Sequence, residues 1–214
     1  MFEIITFTLG PVETNTYLVA DTQNGEAIVI DPAWDGEQIA LAAGKRGWQI
    51  RQIWLTHAHF DHLAGAAGLV DHIQPPPPVG LHEDDLPLWS MRGGAELFGI
   101  HIDPGPRPQL KFEAGQKLLV GKVSFEIRHA PGHTRGHVIF YAQEESLAFC
   151  GDVIFAGGIG RTDLPGGDFG QLMESIRSQV LSLPDETRLL SGHGPETTVG
   201  EERRFNPFLT DLGF

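Results

Sequence analysis

Three imidazoles and a carboxylate crowd one short stretch of this chain: His57, His59, Asp61 and His62, in THAHFDH. The stretch follows directly on the apolar run of residues 50–55, which reads as a buried strand. On extended backbone alternate side chains share a face, so His57, His59 and Asp61 point the same way. The chain must then turn, which brings His62 to a neighbouring position. Neutral imidazole and carboxylate are good ligands for zinc and iron. The cluster therefore suits a transition-metal ion, and an ion held this way activates water for hydrolysis.

The other candidate ligands also lie just past strand-like runs. His133 sits in HAPGHTRGH, beyond a strand ending at Arg128; Asp152 sits in FCGD, beyond residues 147–149; His193 sits in LLSGHG, beyond residues 187–190. Glycine flanks each of them, which lets the backbone turn sharply and approach an ion. These strand-end loops are expected to converge on one edge of the sheets. His72, His82, His101, His129 and His137 read as ordinary solvated or hydrogen-bonded side chains. His129 and His137 flank a ligand loop and could act as outer groups that orient the ligands.

The elements that must position these residues follow from pattern and punctuation. Residues 4–8, 16–20 and 27–30 are short β-rich runs. Asp35 looks like a helix cap, Ile39, Ala40 and Ala43 the buried stripe, and Gly44 or Gly47 the stop. Residues 63–73 read as a small-residue helix, broken by the prolines at 75–78. Residues 83–108 are expected to form an irregular lid or rim. Residues 118–120, 123–128, 138–141 and 147–149 read as strands. Phe169, Leu172, Met173, Ile176 and Val180 then follow helical spacing behind a cap at Asp168. Thr198 and Glu201 make a capping-box pattern for a last short helix. Each half runs strands first and helices after. That predicts an α/β fold, with two mixed β-sheets face to face and helices on the outside, as a single domain over residues 1–214.

Composition narrows the function classes. Of 214 residues, 41% are hydrophobic and 20% charged, an ordinary globular balance. Acidic residues outnumber basic ones 28 to 15, a net charge of −13. Such a surface repels phosphate backbones, so neither nucleic acid nor an anionic membrane is an expected partner. The lone cysteine, Cys150, has no internal disulfide partner, so a cytoplasmic location is expected. The start, MFEIITFTLGPVETN, lacks the pattern of a secretory signal, and no apolar run is long enough to span a bilayer.

THAHFDH, PGHTRGH, the Gly-Asp pair at 151–152 and GHG at 192–194 resemble the metallo-β-lactamase superfamily, in order and context, over nearly the whole chain. The resemblance implies an αββα sandwich with a metal site at one edge. It also implies two subsites, His57, His59 and His133 for one ion, Asp61, His62 and His193 for a second, with Asp152 bridging. A hydroxide between the ions would be the nucleophile, oriented by Asp61. Zinc, as one or two ions, is the implied cofactor, and iron suits either subsite.

Within the superfamily, GDVIFAGGIGRTDLPGGD and GHGPETTVGEERRFNPFL are similar to the short glyoxalase II-type hydrolases. That similarity implies cleavage of thioesters of 2-hydroxy acids, typically S-lactoylglutathione. Longer glyoxalase II enzymes carry a C-terminal helical domain that holds much of the glutathione, and a chain ending at Phe214 is expected to lack it. Arg161 falls where that group places a glutathione-binding lysine, and Asp163 where it places a tyrosine. Arg161 is a candidate for holding an anionic substrate; the alternative is a pair with Asp163 or Asp168 that shapes the loop. Two other activities are compatible with these residues. GRTD at 160–163 also resembles the persulfide dioxygenases, which use one iron, and hydrolysis of a β-lactam or lactone is the third reading. Trp89, Met91 and Phe98 read as core packing, Cys150 as an inert buried thiol, Arg135 as a solvated surface residue and Asn206-Pro207-Phe208 as the dock of the C-terminus. A small-molecule thioester is the expected partner, and assembly into a homo-oligomer is compatible with the sequence.

Overall fold

The computed structural model describes residues 2–210. The chain forms two compact units. One runs to Phe112 and takes in Leu119–Val123; the other is Glu113–Leu118 and the chain from Ser124 onward.

The first unit holds β1 (Phe2–Leu9), β2 (Thr14–Asp21), β3 (Glu26–Ile30), α1 (Gly36–Lys45), β4 (Gln49–Trp54), α2 (Phe60–Leu63), α3 (Ala66–Asp71), β5 (Val79–His82), α4 (Leu86–Ser90) and β6 (Leu110–Phe112). Its six strands form one sheet in chain order. The β1–β2 and β2–β3 pairs are antiparallel; β3, β4, β5 and β6 run parallel. Parallel neighbours need a crossover, which α1 supplies between β3 and β4, and α2 with α3 between β4 and β5. All of β2 is buried, the signature of a strand covered on both faces.

The second sheet has the order β14–β13–β10–β9–β8–β7. Its strands are β7 (Lys117–Val120), β8 (Val123–His129), β9 (Val138–Ala142), β10 (Leu147–Gly151), β13 (Arg188–Ser191) and β14 (Thr197–Thr198). A separate two-stranded pair joins β11 (Ile154–Phe155) to β12 (Gly158–Ile159). The helices are α5 (Phe169–Ser175), α6 (Val199–Phe205) and α7 (Pro207–Thr210). The β8–β9 and β9–β10 pairs are antiparallel, and β10–β13 is parallel with α5 in its crossover. Each unit has its own apolar core, one around Leu18, Val29, Ile53 and Leu69, the other around Ile139, Ala148, Leu172 and Leu189.

The expected α/β class with two mixed sheets is what the chain forms, with local differences. Asp35 sits at φ 47° in the left-handed region and makes no side-chain cap bond. The following Gly36 explains the geometry: a Cβ there would lie 2.2 Å from the Gly65 carbonyl oxygen, so the entry to α1 is set by close packing. The helix read over 63–73 is the shorter α3, Ala66–Asp71; α2 ends at Leu63, and between them the Gly65 N–H donates to the Pro32 carbonyl (2.8 Å). The segment 169–180 begins as α5, capped by Asp168 as expected, and loosens into a π-helical stretch at Ile176–Val180. Phe169 is exposed rather than part of its buried stripe. Thr198 caps α6 by accepting from the Glu201 N–H (3.2 Å). β5 and β6 were not visible as strands, because both are short and depend on parallel neighbours distant in sequence. Among the described residues no helix is long and apolar enough to cross a membrane.

Candidate metal centre

In the first unit, register decides which residues meet. Ile30 pairs with Trp54 and Trp54 with Gly80, so β3, β4 and β5 end at the same edge of the sheet. β2 runs the other way, with Tyr17 opposite Ile30, and therefore starts there. Thr14, Asp31, the THAHFDH loop and Asp85 gather at this edge, the usual place for a site in a parallel sheet.

His57, His59, Asp61 and His62 are brought together as expected. The ring of His57 lies 4.9 Å from that of His59 and 4.1 Å from that of His62, centroid to centroid. All four residues are buried. Their organiser is Asp31, which the sequence did not single out. Asp31 Oδ1 accepts from the Thr56 N–H (2.7 Å), and Oδ2 accepts from the Thr56 hydroxyl (2.7 Å) and from His62 Nδ1–H (2.9 Å). The Thr56 hydroxyl hydrogen is committed to the bond it donates to Asp31, so its oxygen accepts from His57 Nδ1–H (3.0 Å). Both rings thus carry their proton on Nδ1 and keep the Nε2 lone pair, the tautomer a metal ligand needs. Asp61 Oδ2 accepts from the Thr14 hydroxyl (3.0 Å).

The second unit builds its cluster by the same rule. β8, β10 and β13 run in one direction, and their ends deliver His133, Asp152 and His193 to one edge. His133 Nδ1–H donates to the Arg161 carbonyl (2.8 Å), so here too Nε2 keeps its lone pair. Asp152 Oδ2 lies 3.5 Å from His133 Nε2 and 3.6 Å from His193 Nε2. In the first unit, His62 Nε2 and Asp61 Oδ2 are 3.4 Å apart.

These separations test whether the residues fit an ion. Two ligand atoms at about 2.1 Å from a tetrahedral cation stand about 3.4 Å apart. Donor types, burial, tautomers and spacing all suit a zinc- or iron-like cation.

His137 has a larger part than the sequence indicated. It is fully buried, and its Nε2 accepts from the Asp152 N–H (3.0 Å). The only sequence signal was its place in PGHTRGH. His129 donates from Nε2 to the Arg135 carbonyl (2.9 Å), as a structural residue does. Trp89 is partly buried against the first core as expected, but Met91 and Phe98 are exposed.

Arg161 is paired with Asp163 rather than Asp168. Its guanidinium donates from Nε and Nη2 to both carboxylate oxygens of Asp163 (2.7 and 2.8 Å). That pairing raises Arg161 and holds Asp163 at about 2, well under the ordinary 3.8. A depressed carboxyl adds stability above its ordinary range, and that gain is lost as pH falls from 3.8 through about 2. In Arg161→Ala the Asp163 midpoint, read by carboxyl-carbon NMR titration, is expected to climb towards 3.8. A midpoint still near 2 would show that another group holds it down.

Gly132, beside His133, has φ 129°, and a Cβ on it would lie 2.2 Å from the Leu172 nitrogen. Its carbonyl also accepts from the Asp168 N–H (2.8 Å). Gly132→Ala is expected to lower stability by about 1–3 kcal/mol in urea unfolding. A cost below about 0.5 kcal/mol, the scale of an ordinary surface change, would mean the close approach is unimportant.

Comparison with known proteins agrees with this arrangement. Residues 9–193 match the family model of the metallo-β-lactamase superfamily, spanning both ligand clusters. The hydroxyacylglutathione hydrolase GloC of Haemophilus influenzae is 38% identical over 198 residues, covering 92% of this chain and 93% of that one. Among solved structures, the B3 metallo-β-lactamase BLEG-1 superposes with TM-score 0.89 at 38% identity, over 98% of this chain and 100% of that one. TTHA1623, solved in a di-iron-bound form, superposes with TM-score 0.87 at 42% identity, over 96% and 100%.

Proposed function

Because the chain belongs to the metallo-β-lactamase superfamily, we propose that it is a metal-dependent hydrolase of thioesters of 2-hydroxy acids, acting on S-lactoylglutathione or a close relative. The observation that carries this reading is the common orientation of His57, His62 and His133, each bonded through Nδ1 and offering Nε2. The similarity to GloC, named a hydroxyacylglutathione hydrolase, supports the substrate class.

We assign His57, His59 and His133 to one ion and Asp61, His62 and His193 to a second, with Asp152 shared. One or two Zn2+ ions suit these donors, and iron suits them equally; the di-iron form of TTHA1623 is in keeping with that. A cation bound there supplies a Lewis acid and lowers the pKa of its water to about 7. Asp61, steadied by Thr14, orients the attacking water. Asp152, anchored through its N–H to His137, keeps its carboxylate between two imidazoles. The departing thiol has a pKa near 8.5 and leaves as thiolate, so no strong general acid is required. Arg161 would meet a substrate carboxylate only by exchanging Asp163 for it.

We further propose one functional domain in the cytoplasm, without nucleic-acid or membrane partners; a homo-oligomer is compatible with this reading. Cys150 is buried, and burial pushes its thiol far up, so it is not a nucleophile. The test is metal analysis of the purified protein with parallel assays on S-lactoylglutathione, nitrocefin and glutathione persulfide. Thioester hydrolysis that depends on the metal is the expected result. Oxygen consumption with the persulfide and no thioester cleavage would overturn it, as would nitrocefin turnover exceeding thioester turnover.

A further inference from the structure

We propose that Asp85 is a positioning residue for this metal centre: its buried carboxylate holds the backbone between His57 and His59 in the shape that presents both imidazoles. The inference rests on the metal-dependent reading above.

Asp85 stands at the start of α4, where an aspartate ordinarily caps its own helix. It makes no such cap bond. Its side chain is 1% exposed, and Oδ2 instead accepts from the Ala58 N–H at 2.9 Å, 27 residues back in the chain. Ala58 is the residue between the two histidines. A carboxylate buried to this degree is stable only when its oxygens are hydrogen-bonded, so the amide is tied firmly.

The rest of the segment grips the same loop. Gly93, at φ 64°, approaches so closely that a Cβ there would lie 2.2 Å from the Phe60 nitrogen and 2.7 Å from the Ala58 carbonyl oxygen. The Phe98 ring packs on Phe60 with centroids 5.4 Å apart. Residues 85–98 thus act as a clasp over Ala58 and Phe60, the neighbours of His59. The clasp touches the backbone of the ligand loop, so it controls where the imidazoles point without supplying a ligand.

The experiment measures Zn2+ affinity by competition with a chelating dye, and the visible spectrum of the Co2+-substituted protein, on the full chain. Asp85→Ala is expected to weaken Zn2+ binding about 10–100-fold, the usual effect of losing a group that orients ligands, and to shift the Co2+ bands. Asp85→Asn keeps an oxygen that accepts from the Ala58 N–H, so its affinity should fall between Asp85→Ala and the native protein. Ile39→Ala, in α1 and outside the clasp, removes apolar packing from the same core and should lower thermal stability while leaving both metal readouts native. Native affinity and spectrum in Asp85→Ala would overturn the proposal. So would an Asp85→Asn protein as weak as Asp85→Ala, or an Ile39→Ala protein that loses Zn2+ equally. If Asp85→Ala fails to fold, Asp85→Asn decides: weakened binding supports the proposal and native binding overturns it. His59→Ala separates the two levels. If it binds Zn2+ normally, His59 is not a ligand and the assignment on which the clasp rests fails; if it loses Zn2+ while Asp85→Ala does not, only the clasp fails.

Discussion

A His59→Ala protein is expected to fold normally and to bind Zn2+ about a hundredfold more weakly, with S-lactoylglutathione hydrolysis falling at least as far. Structural zinc is bound with about 10–16 kcal/mol through some four ligands. Each ligand thus carries roughly 3 kcal/mol, which is about a hundredfold in affinity. The His59 ring packs edge-on against His57 at 7% exposure, but its side chain does not cap α2. Its neighbours His57 and His62 keep their own anchors on Thr56 and Asp31. Far-UV circular dichroism and urea unfolding should therefore stay close to native while dye competition reports the loss. Native Zn2+ affinity in this variant would remove His59 from the ligand set.

Asp31→Ala should damage both stability and metal binding, which separates it from the His59 variant. Removing the carboxylate leaves the Thr56 N–H, the Thr56 hydroxyl and His62 Nδ1–H without their acceptor in a site 2% exposed. Each buried donor left without an acceptor costs about 1–3 kcal/mol, and losing the group that orients a ligand costs about 10–100-fold in metal affinity. Asp31→Asn is the sharper variant. An amide has one oxygen where the carboxylate has two, so either the Thr56 N–H or His62 Nδ1–H must face an NH2 group. If His62 does, its proton is driven to Nε2, the nitrogen a metal needs. Zn2+ competition on Asp31→Asn should thus show weakened binding although the volume is unchanged. Native binding would mean that the His62 tautomer is set elsewhere.

The two variants divide the site into ligands and their supports, and these differ in how visible they are in the sequence. The ligand loop was readable because imidazole and carboxylate are metal donors by residue type alone, and because His57, His59, Asp61 and His62 are local neighbours. Glycine-flanked strand ends marked His133, Asp152 and His193. Caps at Asp168 and Thr198 were readable for the same reason, since a cap bond spans three residues. Asp35 misled, because the tight approach of Gly36 to Gly65 overrode a cap preference. For Arg161 the sequence left open a substrate-holding role and a loop-shaping pair with Asp163 or Asp168, and the structure shows the pair with Asp163.

Donor chemistry, strand and helix periodicity and the family motifs belong to residue types at short spacing, so the amino-acid order alone determined the fold class and the candidate ligands. The choice of supports belonged to the tertiary structure. Asp31 bonds across 25 and 31 residues, and Asp85 across 27. Neither spacing matches any local period. Only the parallel register that ends β3, β4 and β5 at one edge brings these carboxylates to Thr56, His62 and Ala58, and that register depends on the whole sheet.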